Sequence, residues 1–255
     1  MEMGYSDYVR FMEEHLTGKE IRQSADKVKP FGKFKMNDGH WEPDYYPGYT
    51  LIAPIGKNDV NNAATYNVLV EIIGIMAGCL DKTKALPAPS AALHMTVARL
   101  VSDEIFKDMI LDKREKELLW AFDRAFKAYP SSGPLMFEAT GILILPSGVI
   151  AASISPASEE DYRRLQRFRD HIYSDERLAG YGIERKRGFK GHITLVYIEG
   201  ILTPGEREAL ADCLIRINRK YFSKPLPFTL TKAEVRQFES FLEFYCQDDW
   251  PVFNF

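Results

Sequence analysis

Ala92-Leu93-His94-Met95-Thr96-Val97-Ala98 and Lys190-Gly191-His192-Ile193-Thr194-Leu195-Val196 carry one pattern, His-apolar-Thr-apolar inside an apolar run, with the histidines 98 positions apart. In a β-strand successive side chains point to opposite faces. His94 and Thr96 therefore share one face, and Met95 and Val97 the other. His192 with Thr194, against Ile193 with Leu195, repeats the arrangement. Each segment offers an imidazole and a hydroxyl side by side on a surface whose reverse is apolar. That is the layout of an active site rather than of a packed core.

Working outward, each motif strand lies between helical stretches. Val60–Leu80 reads as a long helix before the first motif, and a helix runs from Ser102-Asp103-Glu104 to about Tyr129 after it. Leu135–Leu145 and Val149–Ile154 form a hairpin about Pro146-Ser147-Gly148. Ser158-Glu159-Glu160-Asp161 opens a helix to about Tyr173 ahead of the second motif, with Asp in place of the usual Glu or Gln. Thr203-Pro204-Gly205-Glu206 supplies a cap, a first-turn proline and an acid at the third position for a helix to about Tyr221. Phe228–Val235 and Phe241–Cys246 read as closing strands. Gly32–Tyr46 reads as a short hairpin turning at Asn37-Asp38-Gly39, and Tyr49–Ile55 as a strand. The expected order is β-α-β(HxT)-α-β followed by β-α-β(HxT)-α-β-β. The halves echo each other, which predicts an α+β fold: bilobal, duplicated α/β units with two antiparallel sheets facing a central cleft. Residues 1–31 form a helical extension capped near Ser6-Asp7, residues 32–247 the bilobal domain, and residues 248–255 an aromatic tail.

Composition narrows the class. Apolar content of 45%, charged content of 27% and a net charge of -3 suit a soluble globular chain. They argue against a nucleic-acid coat protein, so an anionic ligand would have to meet a local basic patch. Cys79, Cys213 and Cys246 are odd in number and scattered, which predicts free thiols in a reducing compartment. The first 22 residues are too polar for a signal peptide or membrane span. A cytoplasmic protein is expected, with no membrane partner.

The paired motifs resemble the two-histidine phosphoesterase superfamily, which includes RNA 2′,3′-cyclic phosphodiesterases and LigT-like proteins. The residues that carry the resemblance are His94-Met95-Thr96-Val97 and His192-Ile193-Thr194-Leu195. Tyr46-Pro47-Gly48 ahead of a strand, Ser90-Ala91-Ala92-Leu93 and Gly191 through Tyr197 point to a mainly bacterial branch of it. The match runs from about Gly32 to Cys246. The resemblance implies attack on a phosphodiester with no metal or organic cofactor. One histidine would act as base on water or a ribose hydroxyl, and the other would protonate the leaving oxygen. Thr96 and Thr194 would donate hydrogen bonds to the nonbridging oxygens. His94, Thr96, His192 and Thr194 are thus the expected catalytic set. The implied substrate is a 2′,3′-cyclic nucleotide or an RNA-end phosphodiester; the alternatives are a linear 2′-5′ or 3′-5′ oligonucleotide, or a nucleotide-binding module without turnover.

Beside the second motif, Glu184-Arg185-Lys186-Arg187-Gly188-Phe189-Lys190 is the densest basic cluster in the chain. Arg187 and Lys190 are the candidates to hold phosphate. Tyr181, Phe189 and Trp41 are candidates for base stacking. A zinc site would need three or four ligands, and there is no HxH, HExxH or Cys pair to supply them.

Overall fold

Burial along the motif strands sets the architecture. Met95, Val97, Ile193 and Leu195 are completely buried, whereas His94, Thr96, His192 and Thr194 are partly accessible. Each buried side chain contributes roughly 1.5–3 kcal/mol relative to exposure. A one-residue slip would forfeit all four, so the face carrying the imidazoles is firmly specified.

The computed structural model describes residues 2–255. It begins with helices α1 (Tyr5–Leu16) and α2 (Gly18–Lys27), the hairpin β1 (Phe34–Asn37) and β2 (His40–Pro43), and strand β3 (Gly48–Pro54). Helix α3 (Ala63–Cys79), the short strand β4 (Ala85–Pro87) and a 3-10 turn at Ser90–Ala92 lead to the first motif strand, β5 (His94–Ser102). Helices α4 (Glu104–Leu111) and α5 (Glu115–Ala128) precede the hairpin β6 (Leu135–Leu145) and β7 (Val149–Pro156). Helices α6 (Glu159–Ser174) and α7 (Glu176–Ala179) precede the second motif strand, β8 (His192–Ile198). Helix α8 (Pro204–Tyr221) and strands β9 (Leu226–Leu230), β10 (Lys232–Phe238) and β11 (Val252–Asn254) complete the chain.

A separate two-stranded sheet pairs β1 with β2, and the other strands form one nine-stranded antiparallel sheet made of two groups, β11-β10-β3-β5 and β8-β7-β6-β9, with β4 alongside β8. One residue pair joins them, Met95 opposite Ile193. Past that pair β4 takes the edge of β8, Leu86 opposite Tyr197, while β5 continues only with β3. The expected α+β fold with antiparallel sheets is present. The two groups of strands meet within one sheet, at the motifs themselves.

Several elements differ from the sequence expectation, each for a physical reason. The helix expected from Ser102 to Tyr129 is two. Lys113 adopts φ 56°, and Lys113 N–H and Arg114 N–H close back onto Ile110 O and Met109 O, 3.0 Å each. The polar run Asp112-Lys113-Arg114 has no apolar side chain to carry the helix through. The strand expected over Phe228–Val235 is also two. The buried apolar positions are Phe228 and Leu230, then Ala233 and Val235, so the apolar alternation changes phase at Thr231. Its first half pairs with β6 and its second with β3, so this stretch serves both groups of strands. Phe241–Cys246 is a loop tied by the single bridge Gln237–Tyr245 rather than a strand. Cys79 of α3 and Cys213 of α8 form a disulfide, correcting the reading of scattered free thiols; only Cys246 remains free and exposed. The expected caps at Ser158 and Thr203 are in place, the latter as a full capping box with Glu206. The first helix starts from Gly4 rather than Ser6. Its Tyr8 and Met12, with Ile21 and Ala25 of α2, are buried in the common core.

Candidate active site

With Met95 opposite Ile193 in an antiparallel pair, the count along the strands sets His94 beside Thr194 and Thr96 beside His192. All four point away from the buried face, on the same side of the sheet. The two histidines are diagonal neighbours, a relation that sets residues about 7–8 Å apart with their Cβ atoms somewhat closer. Just after each threonine the strand carries an extra residue. Thr96 and Ala98 pair with Ile52 and Leu51, leaving Val97 as a bulge; Thr194 and Val196 pair with Ala151 and Ile150, leaving Leu195. The duplicated motif is therefore matched by a duplicated backbone irregularity, related by a pseudo-twofold through the Met95–Ile193 pair. Bulges of this kind re-aim the side chains that follow.

Both imidazoles are tied in the same way. His94 Nδ1 lies 2.7 Å from Ala92 O, and His192 Nδ1 lies 2.8 Å from Lys190 O. A carbonyl oxygen only accepts, so each Nδ1 carries the proton and each neutral ring keeps its Nε2 lone pair for another partner. Burial pushes His94 down to about 4; the Ala92 hydrogen bond opposes this, and the charges of His192 and Arg236 add to it. The Phe244 ring, 4.2 Å from that of His94 between centroids, is part of the enclosure. Burial likewise lowers His192, opposed by its bond to Lys190 and reinforced by the charge of Arg99. Without ligand both rings are neutral at pH 7. An anion placed between them favours protonation of either.

The substrate-binding candidates separate on inspection. Arg187 lies close enough to Arg99 for their charges to interact, and Arg99 in turn acts on His192. Among the described residues neither arginine pairs with a carboxylate, so their charge is available to a ligand. Lys190 contributes its carbonyl to His192, but its ammonium lies over the Phe11 ring, 4.3 Å from the centroid. Phe189 is a core residue, 2% exposed and stacked on Tyr8 at 5.8 Å, so it offers no face to a base. Tyr181 packs against Arg114, the residue that precedes α5, at 4.4 Å. Trp41 donates from Nε1 to Lys82 O at 3.0 Å. Neither ring contacts a motif histidine. Core packing therefore removes Phe189 as a stacking surface, while Tyr181 and Trp41 stay partly exposed with partners of their own.

Arg99 was missed for a reason that the bulge explains. Strict alternation from His94 puts position 99 on the buried face, but the extra residue Val97 shifts the phase and leaves Arg99 exposed. Its backbone N–H and C=O are both held by the Tyr173 hydroxyl, at 3.0 and 3.2 Å. The pseudo-symmetric position in β8 is Tyr197, buried, with its hydroxyl donating to Phe241 O at 3.0 Å. The motif face is accordingly cationic on the Arg99 side, whereas on the Tyr197 side the ring packs among Phe31, Phe34 and Phe241. Arg236 Nε is bound to Glu234 at 2.7 Å, and its guanidinium also donates to Phe244 O at 3.0 Å, holding the loop that carries Phe244. Among the described residues no three His, Cys, Asp or Glu side chains are grouped to hold a metal ion, and no helix is long and apolar enough to cross a membrane.

No family model and no curated protein matches this chain. Among solved structures, a conserved protein of unknown function from Agrobacterium tumefaciens is 16% identical, covers 90% of this chain and 97% of its own, and superposes with a TM-score of 0.66. E. coli LigT, crystallised with 3′-AMP, is 14% identical over 82% of this chain and 95% of its own, with a TM-score of 0.44. A protein described as a phosphoesterase is 13% identical over 81% and 94%, also with a TM-score of 0.44. In fold, the chain is similar to the Agrobacterium protein over nearly the whole length of both.

Proposed function

We propose that this protein is a phosphodiesterase of the two-histidine type that works without a metal, on a 2′,3′-cyclic nucleotide or a cyclic phosphate at an RNA end. One observation carries the reading: two imidazoles and two threonines from motifs 98 residues apart share one accessible face of the sheet, beside the single pair joining its two groups of strands. Both rings have Nδ1 committed to a backbone carbonyl and Nε2 uncommitted.

The chemistry follows from that disposition. One neutral Nε2 takes a proton from water as the water oxygen attacks phosphorus. The other imidazole, protonated under the influence of the bound anion, gives its Nε2 proton to the departing ribose oxygen, leaving a phosphate monoester and a free hydroxyl. The Thr96 and Thr194 hydroxyls donate to the nonbridging oxygens, where negative charge grows. Arg99 and Arg187 draw the anion in and offset that charge. Each histidine contributes on the order of 10²–10⁴ in rate.

The test is turnover of 2′,3′-cyclic mononucleotides in the presence of EDTA. The wild type is expected to form the monoester, and His94→Ala and His192→Ala each to lose at least about 100-fold while keeping the wild-type melting temperature. Near-wild-type rates in either variant would refute the assignment. Product from 2′-5′ or 3′-5′ oligonucleotides alone would transfer the same chemistry to a linear diester. Tight binding with no product from any of them would make the protein a binding module.

A further inference from the structure

The two histidines are delivered to the site differently. Before His94 the chain is held by its own 3-10 turn and by the residue that follows β3: Ala92 N–H donates to Pro89 O at 2.9 Å, and Leu93 O accepts from Ile55 N–H at 3.1 Å. Before His192 it is held by the N-terminus. Phe189 N–H donates to the Glu2 carboxylate at 2.8 Å, and Gly191 N–H donates to the Tyr8 hydroxyl at 3.0 Å. That hydroxyl donates onward to Ile154 O at 2.8 Å, and Ile154 N–H returns to Gly191 O at 2.9 Å.

In extended backbone, the N–H groups of residues 189 and 191 point to one side and the carbonyl of residue 190 to the other. The N-terminal segment therefore grips one edge of the lead, while the opposite edge presents Lys190 O to His192 Nδ1. Gly191 fits because a Cβ there would run into Ile154 O and press on the Tyr8 hydroxyl. Tyr8 is fully buried, and Glu2 is held by Arg169 and Arg185 at 3.1 Å each. Arg169, 4% exposed, also donates to Val97 O, the bulged residue that follows Thr96. One N-terminal carboxylate thus reaches the backbone beside both motifs.

We propose that the segment Glu2–Tyr8 is a positioning element for His192, with the Tyr8 hydroxyl and the Glu2 carboxylate aligning the Phe189–Gly191 lead so that the Lys190 carbonyl fixes the imidazole. Neither residue touches the substrate. The catalytic consequence rests on the function proposed above; the orientation of the ring does not. The experiment uses the full chain with Tyr8→Phe and Glu2→Gln, reading the ring nitrogens of both histidines by NMR alongside kcat and KM. In each variant His192 is expected to lose its fixed Nδ1–H tautomer while His94 keeps it. In kinetics, kcat should fall on the order of tenfold to a hundredfold with KM nearly unchanged. A His192 ring identical to wild type in both variants overturns the proposal whatever the rates do, and so does an equal disturbance of both rings. If the wild type turns over no diester, the NMR signals still decide the positioning role while the catalytic reading fails separately. If Tyr8→Phe does not fold, Glu2→Gln, which keeps the side-chain shape, decides alone.

Discussion

The function proposed above predicts a pH dependence of kcat/KM displaced to the acid side of the usual histidine range. For the free enzyme to be active, one imidazole must be neutral and its partner protonated. Burial lowers both, His94 to about 4 and His192 also below its ordinary 6.5, so both apparent values of the pair lie under 6.5. The rate passes through a maximum between them and then falls tenfold per pH unit as the acid is lost. Between about pH 6.5 and 8.5 the loss reaches about 100-fold. In the substrate complex the phosphate anion raises the imidazole that must stay protonated, so the kcat optimum lies at higher pH than that of kcat/KM. The same shift governs stability. His94 has a folded value below its unfolded one, so the unfolded chain binds more protons; stability is complete above pH 6.5 and declines as pH falls toward 4. A shift from 6.5 to about 4 corresponds to about 3 kcal/mol. The assays are initial rates on a 2′,3′-cyclic nucleotide across pH, and urea unfolding of wild type and His94→Gln at both ends of that range. A kcat/KM that is flat or rising through pH 8, or an acid loss of stability that persists undiminished in His94→Gln, would refute the reasoning.

Three further predictions bear on separate parts of the account. Thr96→Val and Thr194→Val each remove one donor from the phosphoryl oxygens and should lower kcat by about 10²-fold with little change in melting temperature; single-turnover rates check this. Arg99→Gln should lower kcat/KM and flatten its dependence on ionic strength, because the exposed arginine acts through a screened field; a salt series in both proteins measures it. Reducing the Cys79–Cys213 bond releases a loop of 134 residues, which in a chain-entropy account is worth up to about 5 kcal/mol. Denaturant midpoints with and without reductant should separate, while kcat, set by residues elsewhere, stays level.

Much of the fold is legible in the sequence because periodicity and caps are local. The Thr203–Glu206 box and the two alternating motif strands depend only on neighbours a few residues away. What escapes depends on long-range pairing. The division of Leu226–Phe238 between two groups of strands shows locally only as a slip in alternation at Thr231. The disulfide needs α3 and α8 to be packed before Cys79 can meet Cys213. Arg99 is hidden by a one-residue bulge, and Phe189 is a plausible stacking ring until Tyr8, 181 positions away, is found against it. The motif histidines are recognisable as a pair, but what holds His192 comes from the first eight residues, which no local pattern connects to it.

The central claim is that His94 and His192 act on one phosphorus. The most direct measurement is a crystal structure of the wild-type chain soaked with inorganic phosphate. The account predicts one phosphate with Nε2 of both histidines and the hydroxyls of Thr96 and Thr194 within about 2.6–3.2 Å of its oxygens. A phosphate that reaches only one of the rings, or that binds away from the strand crossing, would contradict it.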